Sequence, residues 1–186
     1  MTEPVPSPTT PEGRSADVGS TVVRVAAQIA RLEPGPAAAL RRGPLESEGS
    51  AAFWQLMADH GIEGRGVELA RWGAIVQAVA ILTPRGREED KPSAHDAGKP
   101  MGEVLHEEKI SDLRLARLLS ARGAMRRDLT VRTCRRLAAG APVRFDLRTL
   151  AKFILWENDP SQSRWIARHY YRTAAKAKAT QGETSK

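Results

Sequence analysis

Cysteine is nearly absent from this chain: Cys134 is the only one in 186 residues. One thiol closes no internal disulfide and builds no Cys-rich zinc site. Aromatic residues are scarce, at 5%. No apolar run approaches the roughly 20 residues that a membrane-spanning helix needs. Met1 to Thr10 carries neither the basic cluster nor the apolar stretch of a secretory signal. Together with the single thiol, this makes a reducing, cytoplasmic location the expectation. Histidines are few and scattered: His60, His95, His106 and His169, with no i, i+4 pair among them. His106-Glu107-Glu108 lacks the second histidine of a zincin motif, so no metal site is expected. No Gly-x-Ser-x-Gly occurs, and the glycines at Gly61, Gly64 and Gly66 have the wrong spacing for a phosphate loop. No catalytic constellation is recognisable, so the chain reads as a non-enzyme without a cofactor.

Alternation of apolar and polar residues is missing too. Val143-Arg144-Phe145 is too short to count as a strand. What is present is helical periodicity, in a chain that is 41% apolar with a mean hydropathy of −0.42. The class expected is all-α: two small helical bundles joined by a long loop. The divisions read as a flexible tail over 1–17, an N-terminal bundle over 18–84, a loop over 85–100, a basic bundle over 101–179 and a flexible tail over 180–186.

Within the first bundle, Val22, Val25, Ala26, Ile29 and Leu32 stripe a helix from Val18 to Leu32, and Pro34-Gly35-Pro36 ends it. A short turn over Ala37–Arg42 breaks at Gly43-Pro44. Ser50 can cap a helix bearing Phe53, Trp54, Leu56 and Met57, with Gly61 closing it. The most apolar helix spans Val67–Thr83. In the second bundle a short helix covers Met101–Glu108. Ser111–Arg122 carries Leu113, Ala116 and Leu119 at helical spacing, with Leu115 and Leu118 beside them, and stops at Gly123. Asp128 is placed to cap Leu129–Ala139, and Asp146 to cap Leu147–Trp156. Asp159-Pro160-Ser161-Gln162 is a start signal for a last helix over Arg164–Lys178, with Trp165, Ile166, His169 and Tyr170 inward. All four tryptophans read as core, and Cys134 as a buried structural thiol.

Charge is distributed unevenly. The chain has 29 Lys+Arg and 22 Asp+Glu, a formal +7. Ile110 to Lys152 holds 11 of those bases, ten of them Arg, against three acids, so this stretch alone carries +8 and the remainder −1. Guanidinium groups bind phosphate through a planar fork and stay charged. A concentrated Arg patch is the footprint of a polyanion binder. Arg132, Arg135 and Arg136 share one helix face by their i, i+3, i+4 spacing. Arg114 and Arg117 precede them, Arg122, Arg126 and Arg127 lie at the exit of that earlier helix, and Arg148 and Lys152 follow at i, i+4. If three consecutive helices pack as neighbours, these rows merge into one groove. No Asn or Gln suited to base readout sits among the Arg stripes, so the expected contact is with backbone and independent of sequence.

Several of these stretches resemble the CasB family, the small subunit of the type I-E Cascade complex of RNA-guided CRISPR interference. The likeness runs through Ala39-Leu40-Arg41-Arg42-Gly43, Phe53-Trp54-Gln55-Leu56, Ile110 to Arg122, Arg132 to Leu137, and Phe145 to Lys152 with Trp156, then a helix ending near Tyr170-Tyr171. It covers roughly Val18 to Lys178 and leaves out the 85–100 loop and both tails. The resemblance implies an all-α, non-catalytic protein present as two copies, a dimer stacked within the complex. It implies contact with crRNA, with target and non-target DNA and with other Cascade subunits, stabilising the R-loop in antiviral defence. The positions carried over are Arg41 or Arg42, Arg117, Arg122, Arg132, Arg135, Arg136 and Lys152. The charge pattern adds Arg126, Arg127 and Arg148. Two other readings of the same residues are a helix-turn-helix-like transcription regulator that reads DNA with Leu129–Ala139, and a structural adaptor whose Arg face meets an acidic protein.

Overall fold

The computed structural model describes residues 11–43, 50–84 and 93–184; of 11–16 and 181–184 it describes the backbone course alone. The expected tail over Met1 to Thr10, Pro44 and the loop residues Arg85 to Pro92 lie outside the described residues. Nine α-helices are found among those described: α1 Pro11–Arg31, α2 Pro34–Arg42, α3 Ala51–Asp59, α4 Gly66–Leu82, α5 Met101–Glu107, α6 Asp112–Ser120, α7 Gly123–Leu137, α8 Leu147–Leu155 and α9 Pro160–Thr184. The all-α class holds. The one β-type pairing among the described residues is an isolated parallel bridge between His95 and Phe145.

α4 is buried nearly all round, from Trp72 through Val76, from Ala78 through Ala80, and at Leu82. A helix apolar on every face must lie inside the fold. It packs against α1, α2, α7 and α8. Those partners come from both halves of the chain, and one continuous core runs from Val22 to Tyr170. The division into two bundles is therefore not confirmed. The described end of the expected linker is tied down as well. Asp96 N–H donates to the Phe145 carbonyl at 3.0 Å, Phe145 N–H to Ala94 at 3.3 Å and Asp146 N–H to Lys99 at 2.8 Å. The Arg144 guanidinium clasps the same segment through the Ser93 and His95 carbonyls, both at 3.0 Å.

Local caps form where the side chains predict them. Ser50 Oγ accepts from Phe53 N–H, and Asp146 accepts from Arg148 N–H at 3.0 Å. Asp159 accepts from Ser161 N–H at 2.8 Å and from its hydroxyl at 2.7 Å. Gly61 closes α3 with φ +60°, a conformation that suits glycine.

Elsewhere the structure differs from the sequence expectation. α1 begins at Pro11 rather than Val18, because a proline at the first helical position loses no hydrogen bond. α9 extends to Thr184, past the expected start of the tail. α7 starts at Gly123, so Asp128 lies within the helix and pairs with Arg132 one turn on. α6 buries Leu115 and Leu118, and leaves Leu113 81% exposed. Of the tryptophans, Trp72 is core, Trp156 is half-buried, and Trp54 and Trp165 are exposed. α5 crosses α9 so closely that a Cβ on Gly102 would run into the Ile166 carbonyl and sit 2.8 Å from Tyr170 N.

Candidate nucleic-acid interface

α7 buries Thr130, Val131, Cys134 and Leu137 and turns Arg132, Arg135 and Arg136 outward, as their spacing requires. The three are not equivalent. Arg132 is held by Asp128, with Nη2 at 2.8 Å from Oδ2 and Nε at 3.1 Å from Oδ1. Arg135 and Arg136 have no hydrogen bond or ion pair among the described residues.

Arg135 stands between two adjoining clefts. One, of about 810 Å³, is closed by Arg42, by Leu82 to Pro84 at the end of α4 and by the turn after α7. The other, of about 250 Å³, is lined by Gly73, Gln77, Arg127, Asp128 and Val131. Arg127 Nη1 is buried without a hydrogen-bond partner among the described residues. Arg42, Arg127 and Arg135 thus bring three permanent cations to one face. Its one acid among the lining residues, Asp128, is engaged by Arg132.

Two expected contact residues spend their guanidinium donors on backbone carbonyls. Arg126 is 1% exposed. Its Nε donates to the Ala121 carbonyl at 2.8 Å and Nη1 to Phe153 at 2.9 Å, with the guanidinium 4.3 Å from the centre of the Phe153 ring. Burial, then the nearby Arg122 charge, lowers its pKa against the pull of Glu157. Arg126 is a packing residue because helix phase buries it and backbone carbonyls receive its Nε and Nη1 donors, while Nη2 is buried without a partner among the described residues. Arg41 is half-buried and ties down the end of α4, with Nε 2.8 Å from the Ala80 carbonyl and Nη2 3.3 Å from that of Thr83. Arg42, its neighbour, is exposed. Arg122 is exposed but directs Nη1 onto the last carbonyls of α6, those of Leu119, Ser120 and Ala121. Arg117 is exposed on α6.

Arg148 and Lys152 belong to a different cleft, between α1, α8 and α9. The structure divides the Arg rows between two faces instead of merging them. The reason is packing: α4 meets both α7 and α8, so α7 opens toward α2 and α4, whereas α8 opens toward α1 and α9. Arg24 joins Arg148 and Lys152 there. No local signal marks Arg24, which is a single base beside the apolar stripe of α1.

Among the described residues no group of His, Cys, Asp or Glu is placed to hold a metal ion, and no helix is long and apolar enough to cross a membrane. The Cys134 thiol is fully buried, which pushes its pKa up to about 12. No protein family, curated protein or solved structure matches this chain.

Proposed function

We propose that this protein is a non-catalytic nucleic-acid-binding subunit that grips the sugar–phosphate backbone through its α2–α4–α7 face. The observation that carries the reading is the grouping of Arg42, Arg127 and Arg135 on adjoining clefts. Like charges held together repel. A phosphate seated among them offsets that repulsion. Exposed Arg136, next to Arg135 on α7, extends the field.

The likeness to the CasB family in sequence makes the RNA-guided Cascade complex the setting we favour. There the face would meet crRNA or target and non-target DNA beside other subunits and a second copy of this chain. Forming an R-loop is a near-balanced exchange of duplexes, so backbone contacts that read no sequence are enough to tip it.

The test is a salt series of anisotropy titrations with unrelated DNA duplexes, comparing wild type with Arg42→Ala/Arg135→Ala/Arg136→Ala. Each phosphate that the protein no longer neutralises lowers the slope of log K against log salt by about 0.9. The triple variant is expected to drop by about two to three units of slope at unchanged fold. An equal slope in both proteins would remove this face from the interface. Selection from random duplexes that enriches one motif would replace the backbone reading with that of a sequence-reading regulator.

A further inference from the structure

The cleft between α1, α8 and α9 is separate from the Arg42–Arg135 face and has its own chemistry. Its volume is about 950 Å³. That lies at the large end of small-molecule sites and gives room for a nucleotide.

Arg24, Arg148, Lys152 and Asp146 all line it. Asp146 is fully used: it caps α8 and takes both Arg148 Nε at 2.7 Å and Nη2 at 3.1 Å. That pair is neutral, so Arg24 and Lys152 supply the net charge. Arg24 is exposed, with one hydrogen bond among the described residues, to Thr21 Oγ1 at 3.2 Å, and its charge is felt by His60. Lys152 reaches the Trp156 ring at 5.9 Å and no acid among the described residues. Two cations with no acid of their own face one cavity.

Its wall is also aromatic. Trp165 lines the cleft and remains 43% exposed. Trp54 and Tyr171 are as exposed; Trp165 differs in lining a cleft beside cations. The indole is held in place, 4.5 Å from the His169 ring and 4.9 Å from the Arg168 guanidinium. His95 lines it as well: Leu147 N–H donates to Nδ1 at 3.3 Å, which leaves the ring proton on Nε2. Gln162 brings both a donor and an acceptor to the same wall.

We propose that this cleft takes an unstacked nucleotide, its base on Trp165 and its phosphate on Arg24 and Lys152. An aromatic platform beside free cations is what an unpaired nucleotide needs and what a duplex, whose bases are stacked inward, does not use. An acidic peptide would use the cations and leave the indole bare. The ligand is either a free mononucleotide or one nucleotide of a single strand; both present the same base and phosphate.

The experiment uses the full chain and a fluorescein-labelled single strand of about 12 nucleotides, within the usual span of a single-strand site, with an abasic strand of equal length as control. The variants are Trp165→Leu, Trp165→Phe and Arg24→Ala/Lys152→Ala, each checked by thermal melt. Trp165→Leu is expected to weaken binding of the ordinary strand about tenfold, while Trp165→Phe stays near wild type. On the abasic strand Trp165→Leu should bind like wild type, because no base is there to stack. Arg24→Ala/Lys152→Ala should weaken both strands. Competition by AMP assigns the site to a free nucleotide, and failure of AMP to compete assigns it to the strand. Equal binding by Trp165→Leu and wild type on the ordinary strand overturns the proposal, as does an equal loss on the abasic strand or no binding of strand and AMP alike. Arg42→Ala/Arg135→Ala, on the other face, should leave the Trp165→Leu ratio unchanged, so failure of that face and failure of this cleft are distinguishable.

Discussion

The Glu157 carboxylate accepts a hydrogen bond from the Gly123 amide at 2.5 Å, across 34 positions of chain. It therefore caps the N-terminus of α7 from just beyond the end of α8. The other carboxylate oxygen pairs with Arg71 of α4. One side chain ties three helices together. A negative charge at a helix N-terminus also complements the helix dipole.

Glu157→Gln should destabilise the fold by about 1.5–3 kcal/mol at pH 7, the range for hydrogen bonds to a charged group. Burial raises the Glu157 pKa, but the bonds from Arg71 and Gly123 N–H outweigh it, and the net shift is downward. A lowered folded pKa means stability that is present above the ordinary glutamate range and lost as pH falls through the folded value. Urea denaturation at pH 7 and at pH 3 checks this: the gap between wild type and variant should narrow at the lower pH.

Arg126→Ala should cost stability rather than affinity. It leaves the Ala121 and Phe153 carbonyls without their donor and opens space beside the Phe153 ring. The loss expected is about 2–4 kcal/mol. The measurement is the urea midpoint together with duplex affinity at a temperature where the variant is folded. An affinity drop as large as that of Arg135→Ala, with no change in midpoint, would return Arg126 to the surface.

Cys134 should resist alkylation in the native state. At pH 8 a thiol whose pKa is about 12 holds almost no thiolate, and burial also bars the reagent. Iodoacetamide labelling followed by mass spectrometry should show modification only after denaturant is added. Rapid labelling of the folded protein would mean that the α7 face opens.

The candidate face was half legible. The i, i+3, i+4 spacing placed Arg132, Arg135 and Arg136 outward on α7, and it did so because their phase is opposite to Val131, Cys134 and Leu137. Arg126 has the same residue type and a neighbouring position, yet it is buried. Phase in a helix is relative, and the start of α7 was misplaced by the local appeal of Asp128 as a cap. Trp165 and Arg24 were missed for a related reason: exposure on a cleft wall depends on which helices pack beside it.

Sequence by itself determined the helical class, most helix bodies and the caps at Ser50, Asp146 and Asp159. Those rest on interactions within a few residues, which periodicity and side-chain chemistry encode directly. Tertiary structure alone decided that α4 joins both halves in one core, that Glu157 starts α7, and that the Arg rows part onto two faces. Each of these depends on contacts between residues distant in the chain, and helix geometry leaves open which neighbour an apolar stripe will find.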